Sequence, residues 1–331
     1  MVKYNHVMYE LPVEKIPFTE ISRLLNVSAL NSAYLTIQLE TVTKAQLPGT
    51  NYSNGVTTTP MMDPVQIYVS AFNGVNSQNA VEVSHNGQLY FRATNTSPNG
   101  QFLLMKYDVN TQTVSFVPSK TTTSGSAIIF NGKINGNAVV GPAVGYSYFS
   151  DTTKHWARAD INELASRLIV TAASGSKFEP EKKITRAEFA VYIAKGLGLT
   201  GDESYARRFP DVSSGTTAAY IGAAAKAGII NGNTDGTFKP NSNITREQMA
   251  LMMVRAMEYA GYNTSMNGAS AATLTKFKDA AKIQSKDTVA KAVKEGIIQG
   301  ITTNTFQPQG NATRAQAAVM LKRVLDKLNY I

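Results

Sequence analysis

The chain has 331 residues, no cysteine, three histidines and a net charge of +9. That length allows two or three domains with real cores. The missing thiols exclude disulfides and thiolate metal sites, His6, His85 and His155 are too widely spaced for a histidine-rich metal site, and no stretch approaches the roughly 18 apolar residues of a membrane span.

In chain order, the N-terminal "MVKYNHVMYELPVEKIPF" holds no apolar run fit for a signal peptide, which leaves either an internal protein or a piece of a longer secreted chain. "PFTEISRLLN" reads as a short helix or an edge element. Alternating or β-branched runs start at Tyr34, Val65, Gly87, Gln101, Thr113 and Ser126, separated by Asn-Gly, Pro-Gly and Ser-Pro breaks. "MKYDVNTQTVSFVP" predicts a hairpin turning at Asn110-Thr111. Residues 1–146 are therefore expected to form an all-β, sandwich-like domain. Its acids (Glu10, Glu14, Glu20, Glu40, Asp63, Glu82, Asp108) form no recognisable catalytic pair.

From about Ser147 the texture turns helical. "HWARADINELASRLI" puts Trp156, Ile161, Leu164, Ala165 and Leu168 on one stripe, and "RAEFAVYIAKGLGL" does the same with Phe189, Ile193 and Leu197. Residues 1–148 carry 8 basic and 7 acidic side chains and the rest carry 24 and 16, so the basic excess lies in the second half. An anionic partner for that half and plain solubility both account for it.

Three blocks of that half align without a gap. Asp151, Asp211 and Asp279 each precede an arginine (Arg186, Arg246, Arg314) by 35 residues, and each arginine follows a phenylalanine (Phe178, Phe238, Phe306) by 8. The blocks start 60 and then 68 residues apart. Each reads as helix, loop, helix, which cannot bury its apolar face alone, so the three should share a core. The expected divisions are 147–205, 206–270 and 271–331.

Each block carries the same start signal for its second helix. Thr185 with Glu188, Thr245 with Gln248 and Thr313 with Gln316 form capping boxes. The arginine follows the cap at the first helical position, where the helix dipole disfavours a cation by about 0.3–1 kcal/mol. Free helix-end N–H groups beside a guanidinium make an anion site. An ion pair with an aspartate of the same or the next block is the competing reading. The aspartates Asp151, Asp211 and Asp279 are candidates for the same site, with tethering of the first helix as their alternative. Trp156 offers either a stacking face for a sugar ring or core packing against Phe149. In "NGNTDGTF", Asn231, Asn233, Asp235 and Gly236 imitate a calcium loop, but Ser242 stands where a bidentate glutamate is needed, so turns are expected. Gly232 and Gly300 match each other where the first block has Ala172, marking a possible difference in backbone approach between blocks.

On "FSDTTKHWA", "FEPEKKITRAEFA" and the Thr-Arg-Ala-Glu signature at Thr185–Glu188, the chain resembles the S-layer homology family, with three tandem copies over about Phe149 to Ile331. "TREQ" at Thr245 and "TRAQ" at Thr313 keep the arginine and depart in the last residue. The resemblance implies a pseudo-threefold, all-α helical triplet that binds pyruvylated secondary cell-wall polysaccharide in grooves between repeats. It implies that Arg186, Arg246 and Arg314 meet the pyruvate carboxylate, with Asp151, Asp211, Asp279, Trp156, Glu188, Gln248, Gln316, Gly232 and Gly300 around them. The sequence has no clustered basic run or aromatic platform for a nucleic-acid partner and no span for membrane insertion. No cofactor is expected, and the resemblance implies an extracellular place at the cell wall or S-layer with the remainder of a longer surface protein as neighbour. The expected function is non-catalytic anchoring; the alternative is a wall-glycan-acting enzyme with the β-rich half as its catalytic or carbohydrate-binding part.

Overall fold

In the computed structural model every residue is described except 13, 15, 28–32, 44–46, 48–50, 53–54, 75–80, 84–85, 95–99, 267 and 269. The breaks at Pro48-Gly49 and Ser97-Pro98, and His85, lie outside the described residues. Contacts divide the chain into two units, one holding Met1–Tyr52 and Val56–Tyr146, the other Ser147–Tyr330.

The first unit is β-rich. Its strands are β1 (Val2–Tyr4), β2 (Val7–Glu10), β3 (Ala33–Thr41), β4 (Asn51–Tyr52), β5 (Val56–Pro60), β6 (Val65–Asn73), β7 (Val81–Glu82), β8 (Asn86–Thr94), β9 (Gln101–Asp108), β10 (Thr113–Val117), β11 (Ser119–Ser124), β12 (Ala127–Asn135) and β13 (Ala138–Ser147). One sheet runs β1-β2-β8-β12-β11; the other runs β10-β9-β13-β5-β4, with β6 joining β13 to β3 and β7. Alternation buries Tyr9, Leu89, Phe91, Ile128 and Phe130 of the first sheet and Ile67, Val69, Leu104 and Val140 of the second in one cluster. Gly87 lies where Tyr9 crosses its strand: a Cβ there would come within 2.0 Å of the Tyr9 hydroxyl.

The expected hairpin is present. Asp108 pairs with Thr113, and the Asp108 carboxylate accepts from the N–H groups of Asn110 and Thr111 inside the turn. "FTEISRLL" forms the helix α1 (Phe18–Leu25), closed by Asn26 in the left-handed conformation. Strand β13 escapes the sequence pattern because Gly141, Pro142 and Gly145 break its run, yet it pairs with both β9 and β6.

The second unit contains α2 (Arg158–Ser166), α3 (Arg186–Gly196), α4 (Glu203–Ala206), α5 (Thr216–Lys226), α6 (Arg246–Tyr259), α7 (Ser270–Leu274), α8 (Lys286–Lys294) and α9 (Arg314–Lys327). Helix α2 is shorter than its stripe suggests. Trp156 precedes it, and Leu168 follows it with φ of 58°. The short helices α4 and α7 fill the segments inserted between repeats. Each motif helix packs on the first helix of the next repeat, α3 on α5, α6 on α8 and α9 on α2. The rings of Phe149 and Phe178, Phe209 and Phe238, and Phe277 and Phe306 each lie 5.5 Å apart within a repeat.

The repeats also interlock through their backbones. Ile184 N–H donates to Ala312 C=O, Ala312 N–H to Ile244 C=O, and Ile244 N–H to Ile184 C=O. The three residues just before the three caps thus close a cycle of hydrogen bonds, with the motif helices leaving it.

Candidate anion site at the repeat junctions

The local start of each motif helix follows from its cap. Thr185, Thr245 and Thr313 are extended, with φ from −80° to −85°, and each hydroxyl accepts the N–H of the third helical residue. That third residue returns the bond: Glu188 Oε2, Gln248 Oε1 and Gln316 Oε1 accept the cap N–H at 2.8, 3.2 and 3.1 Å. All three capping boxes therefore form as the spacing predicts.

The N–H groups of the first two helical residues are not free. Those of Arg186 and Ala187 donate to Ser242 and Pro240, those of Arg246 and Glu247 to Gly310 and Pro308, and those of Arg314 and Ala315 to Lys182 and Pro180. With the third N–H bound to the cap hydroxyl, each first turn has spent its donors on protein. This corrects the expectation of an anion site built from free helix-end N–H groups.

The arginines also have a structural task. Arg186, Arg246 and Arg314 are 7%, 4% and 2% exposed. Each reaches into the next repeat around the cycle, where its Nε donates to the carbonyl of the motif phenylalanine: Arg186 to Phe238 at 2.9 Å, Arg246 to Phe306 at 2.9 Å and Arg314 to Phe178 at 2.8 Å. Nη2 donates to a second carbonyl, that of Asn231, Gln299 or Thr171. The guanidinium lies over the same phenylalanine ring, 4.7–5.2 Å from its centroid. Two carbonyls and a ring face answer the sequence puzzle of a cation at a helix start.

The third vertex, Nη1, separates the junctions. Arg314 Nη1 donates to Glu188 Oε1 at 2.6 Å, an ion pair between the third repeat and the first. At the other two junctions glutamine stands in place of that glutamate. Among the described residues no partner meets Nη1 of Arg186 or Arg246. Burial pulls the pKa of both guanidinium groups down, against the pull of Asp211 on Arg186 and Asp279 on Arg246. Arginine nevertheless stays charged at neutral pH.

The aspartates do not pair with these arginines. Both carboxylate oxygens of Asp151 accept the N–H groups of Phe178 and Glu179; Asp211 does the same for Phe238 and Lys239, and Asp279 for Phe306 and Gln307. The second residue of each pair has φ of 57–58°, so the aspartate holds a left-handed residue that is not glycine. Their tether therefore falls on the motif loop rather than on the first helix.

Trp156 is 65% exposed beside the His155 ring, which excludes the core-packing reading, and His155 bonds Glu181 at 2.8 Å. Gly232 and Gly300 are tight against their own repeats: a Cβ would meet the Phe209 or Phe277 ring at 2.9 or 2.8 Å and loop carbonyls as well. In "NGNTDGTF", Asp235 Oδ1 accepts from both the N–H and the hydroxyl of Thr237, and Oδ2 pairs with Lys239 at 3.4 Å, a turn that occupies both oxygens. Sequence reading misses the buried Tyr192, whose hydroxyl has no partner among the described residues and whose ring lies 5.7 Å from the Arg314 guanidinium. It also misses Glu247, whose buried carboxylate accepts from Ser285 N–H and Gln309 Nε2. The signal for both was their singularity, since the matching positions hold methionine or alanine.

Comparison with known proteins gives the family. The model of the S-layer homology domain matches residues 148–190, 208–250 and 276–318. An amylopullulanase of Thermoanaerobacterium thermosulfurigenes is 37% identical over 232 residues, covering 68% of this chain and 12% of that protein. That alignment is longer than the helical unit, so it reaches into the β-rich one. Exoglucanase XynX of Acetivibrio thermocellus is 42% identical over 55% of this chain and 17% of its own length. An S-layer protein of Bacillus thuringiensis subsp. finitimus is 35% identical over 56% of this chain and 22% of its own. The chain thus spans less than a quarter of each of these relatives. Among the described residues no helix is long and apolar enough to cross a membrane. With three family matches on the three interlocked repeats, the chain carries three tandem S-layer homology domains behind a β-rich region.

Proposed function

We propose that residues 147–331 anchor the chain non-catalytically by binding pyruvylated secondary cell-wall polysaccharide at the repeat junctions, with Arg186, Arg246 and Arg314 as the cationic centres. In this reading the repeats divide at 147–205, 206–270 and 271–331 as a pseudo-threefold bundle, and residues 1–146 pack their two sheets as a sandwich. The observation that carries it is the buried guanidinium at each junction, held in place by carbonyls and a ring, with Nη1 unmatched among the described residues in two of the three. A pyruvyl carboxylate meeting such a group gains a charge-assisted hydrogen bond of about 1.5–3 kcal/mol. Glu188, Gln248 and Gln316 are each partly exposed beside these arginines in sequence, and Trp156 supplies an exposed ring for a sugar face. Asp151, Asp211, Asp279, Gly232 and Gly300 serve the site by shaping the motif loops. A repeating polymer that reaches more than one junction gains through effective concentration. The enzyme names among the relatives belong to proteins several times longer than this chain, and no catalytic role is assigned to it.

Removing an arginine is a poor test, because the same side chain fastens one repeat to the next. Changing the wall is better. The full chain should pellet with purified cell wall and should largely lose that ability after mild acid has cleaved the pyruvyl ketals. Undiminished pelleting with the stripped wall would overturn the proposal.

A further inference from the structure

The three junctions share a backbone plan and differ in one side chain. The third residue of each motif helix must accept the cap N–H, and in the first repeat it also meets the arginine that arrives from the preceding repeat. Glutamate can serve both, because a carboxylate has two acceptor oxygens. Glu188 does so: Oε2 accepts from Thr185 N–H at 2.8 Å and Oε1 accepts from Arg314 Nη1 at 2.6 Å. Glutamine cannot. Gln248 and Gln316 spend their one oxygen on the N–H groups of Thr245 and Thr313. The amide orientation is fixed by that cap bond, so the other amide atom is a donor. Among the described residues it finds no acceptor, and neither does Nη1 of Arg186 or Arg246.

Two junctions therefore hold a cation and an amide donor with no acceptor for either among the described residues, while the third carries its own carboxylate. Tyr192 adds to the closure of that third junction. Its ring lies 5.7 Å from the Arg314 guanidinium, where the other repeats have Met252 and Met320. Arg314 is also the most buried of the three arginines at 2%, and Arg186 the least at 7%. The neighbouring carboxylate at the second junction, Glu247, is engaged by Ser285 and Gln309.

Resting on the proposed function above, we infer that Glu188 is a built-in occupant of the junction between the third repeat and the first, leaving two sites for a sugar-borne carboxylate, at Arg186 with Gln248 and at Arg246 with Gln316. The motif difference TRAE against TREQ and TRAQ then sets how many acidic sugars the chain holds. Glu188 competes as an intramolecular carboxylate, so a ligand would have to displace a bonded partner there and nowhere else.

Titration of the full chain with a monovalent pyruvylated aminosugar tests this. The wild type should bind two equivalents. Glu188→Gln should bind three, since glutamine keeps the cap bond as it does in the other repeats, and Gln248→Glu should bind one. In side-chain Nε–Hε NMR spectra the sugar should shift the signals of Arg186 and Arg246 and leave that of Arg314 in place. Three equivalents in the wild type, or a count that neither substitution changes, would overturn the inference and leave the anchoring function standing. No binding by any form would overturn the anchoring reading itself, and this inference with it. If Glu188→Gln does not fold, Gln248→Glu and the arginine signals still decide.

Discussion

At the scale of single residues, what looks like a penalty proves to be one half of an exchange. An arginine at the first helical position sits against the positive end of the dipole. Its guanidinium, however, lies away from that end, over a phenylalanine of the next repeat and within hydrogen-bond reach of two of that repeat's carbonyls. The aspartates work the same way from the other side, each binding two consecutive N–H groups at the start of a left-handed residue. For Asp279 the balance can be followed with pH. Burial raises its carboxyl, but the N–H groups of Phe306 and Gln307 outweigh burial, so its pKa lies below the usual value. A carboxylate depressed on folding stabilises fully above its unfolded pKa of about 3.9, and that stabilisation is lost as pH falls through the lower folded value. Asp279→Asn keeps one acceptor of the two. Denaturant titrations should show it less stable than the wild type by about 1–3 kcal/mol at pH 7, with the gap closing as both are taken below about pH 4. An undiminished gap at pH 2.5 would mean that the carboxylate charge is not what holds the loop.

At the scale of elements, helix α5 contains Gly222, and its role has a sign that propensity alone gets wrong. Replacing glycine by alanine inside a helix ordinarily stabilises by about 1 kcal/mol. Here a Cβ would stand 1.9 Å from the carbonyl oxygen of Asp202 and 2.8 Å from the N–H nitrogen of Ala206, both backbone atoms of the α4 segment. Overpacking against backbone costs about 1–3 kcal/mol, so Gly222→Ala should lower the melting temperature rather than raise it. A higher melting temperature would show that α4 gives way freely. Position 222 also marks the limit of what sequence discloses. The repeats, the capping boxes and the hairpin at Asp108 were legible because each rests on residues three to eight apart, or on a pattern stated three times, whereas the segment at Phe18 reads as either a short helix or an edge element. The partners of the arginines were not, because they lie 45 to 143 residues away and belong to the next repeat rather than to the same one. Counting within a block pairs Arg186 with Phe178, whereas the fold pairs it with Phe238. Strand β13 was illegible for a different reason: its glycines and proline are turn formers everywhere except where neighbouring strands on both sides hold them extended. The stripe of α2 failed at its ends, where Trp156 and Leu168 satisfy the helical period without being helical.

At the scale of the helical unit, the helix-start N–H groups and the arginines run one way round a closed cycle, and the bonds among Ile184, Ala312 and Ile244 run the other. The first repeat's motif helix is fastened to the second, the second to the third and the third to the first, by N–H bonds, by an arginine and by helix packing each time. A linear array of repeats can lose its last member and keep the others, since each contact involves neighbours only. A cycle cannot, because removing any member leaves two ends unsatisfied. A chain ending at residue 270 would leave Ile184 N–H without Ala312 and Arg246 without the carbonyls of Phe306 and Gln299, while the junction between the first and second repeats would keep every one of its own atoms. The amides of Arg186 and Ala187 report on the difference, because their acceptors, Ser242 and Pro240, are still present in the shortened chain. If closure supplies the cooperativity, hydrogen exchange at these two amides should lose most of its protection on truncation, and the helical circular dichroism of the unit should fall by more than the share of the helices removed. If the two amides stay protected as in the full chain, the repeats are stabilised pairwise, and the hydrogen-bonded cycle at Ile184, Ile244 and Ala312 is a consequence of the fold rather than its lock.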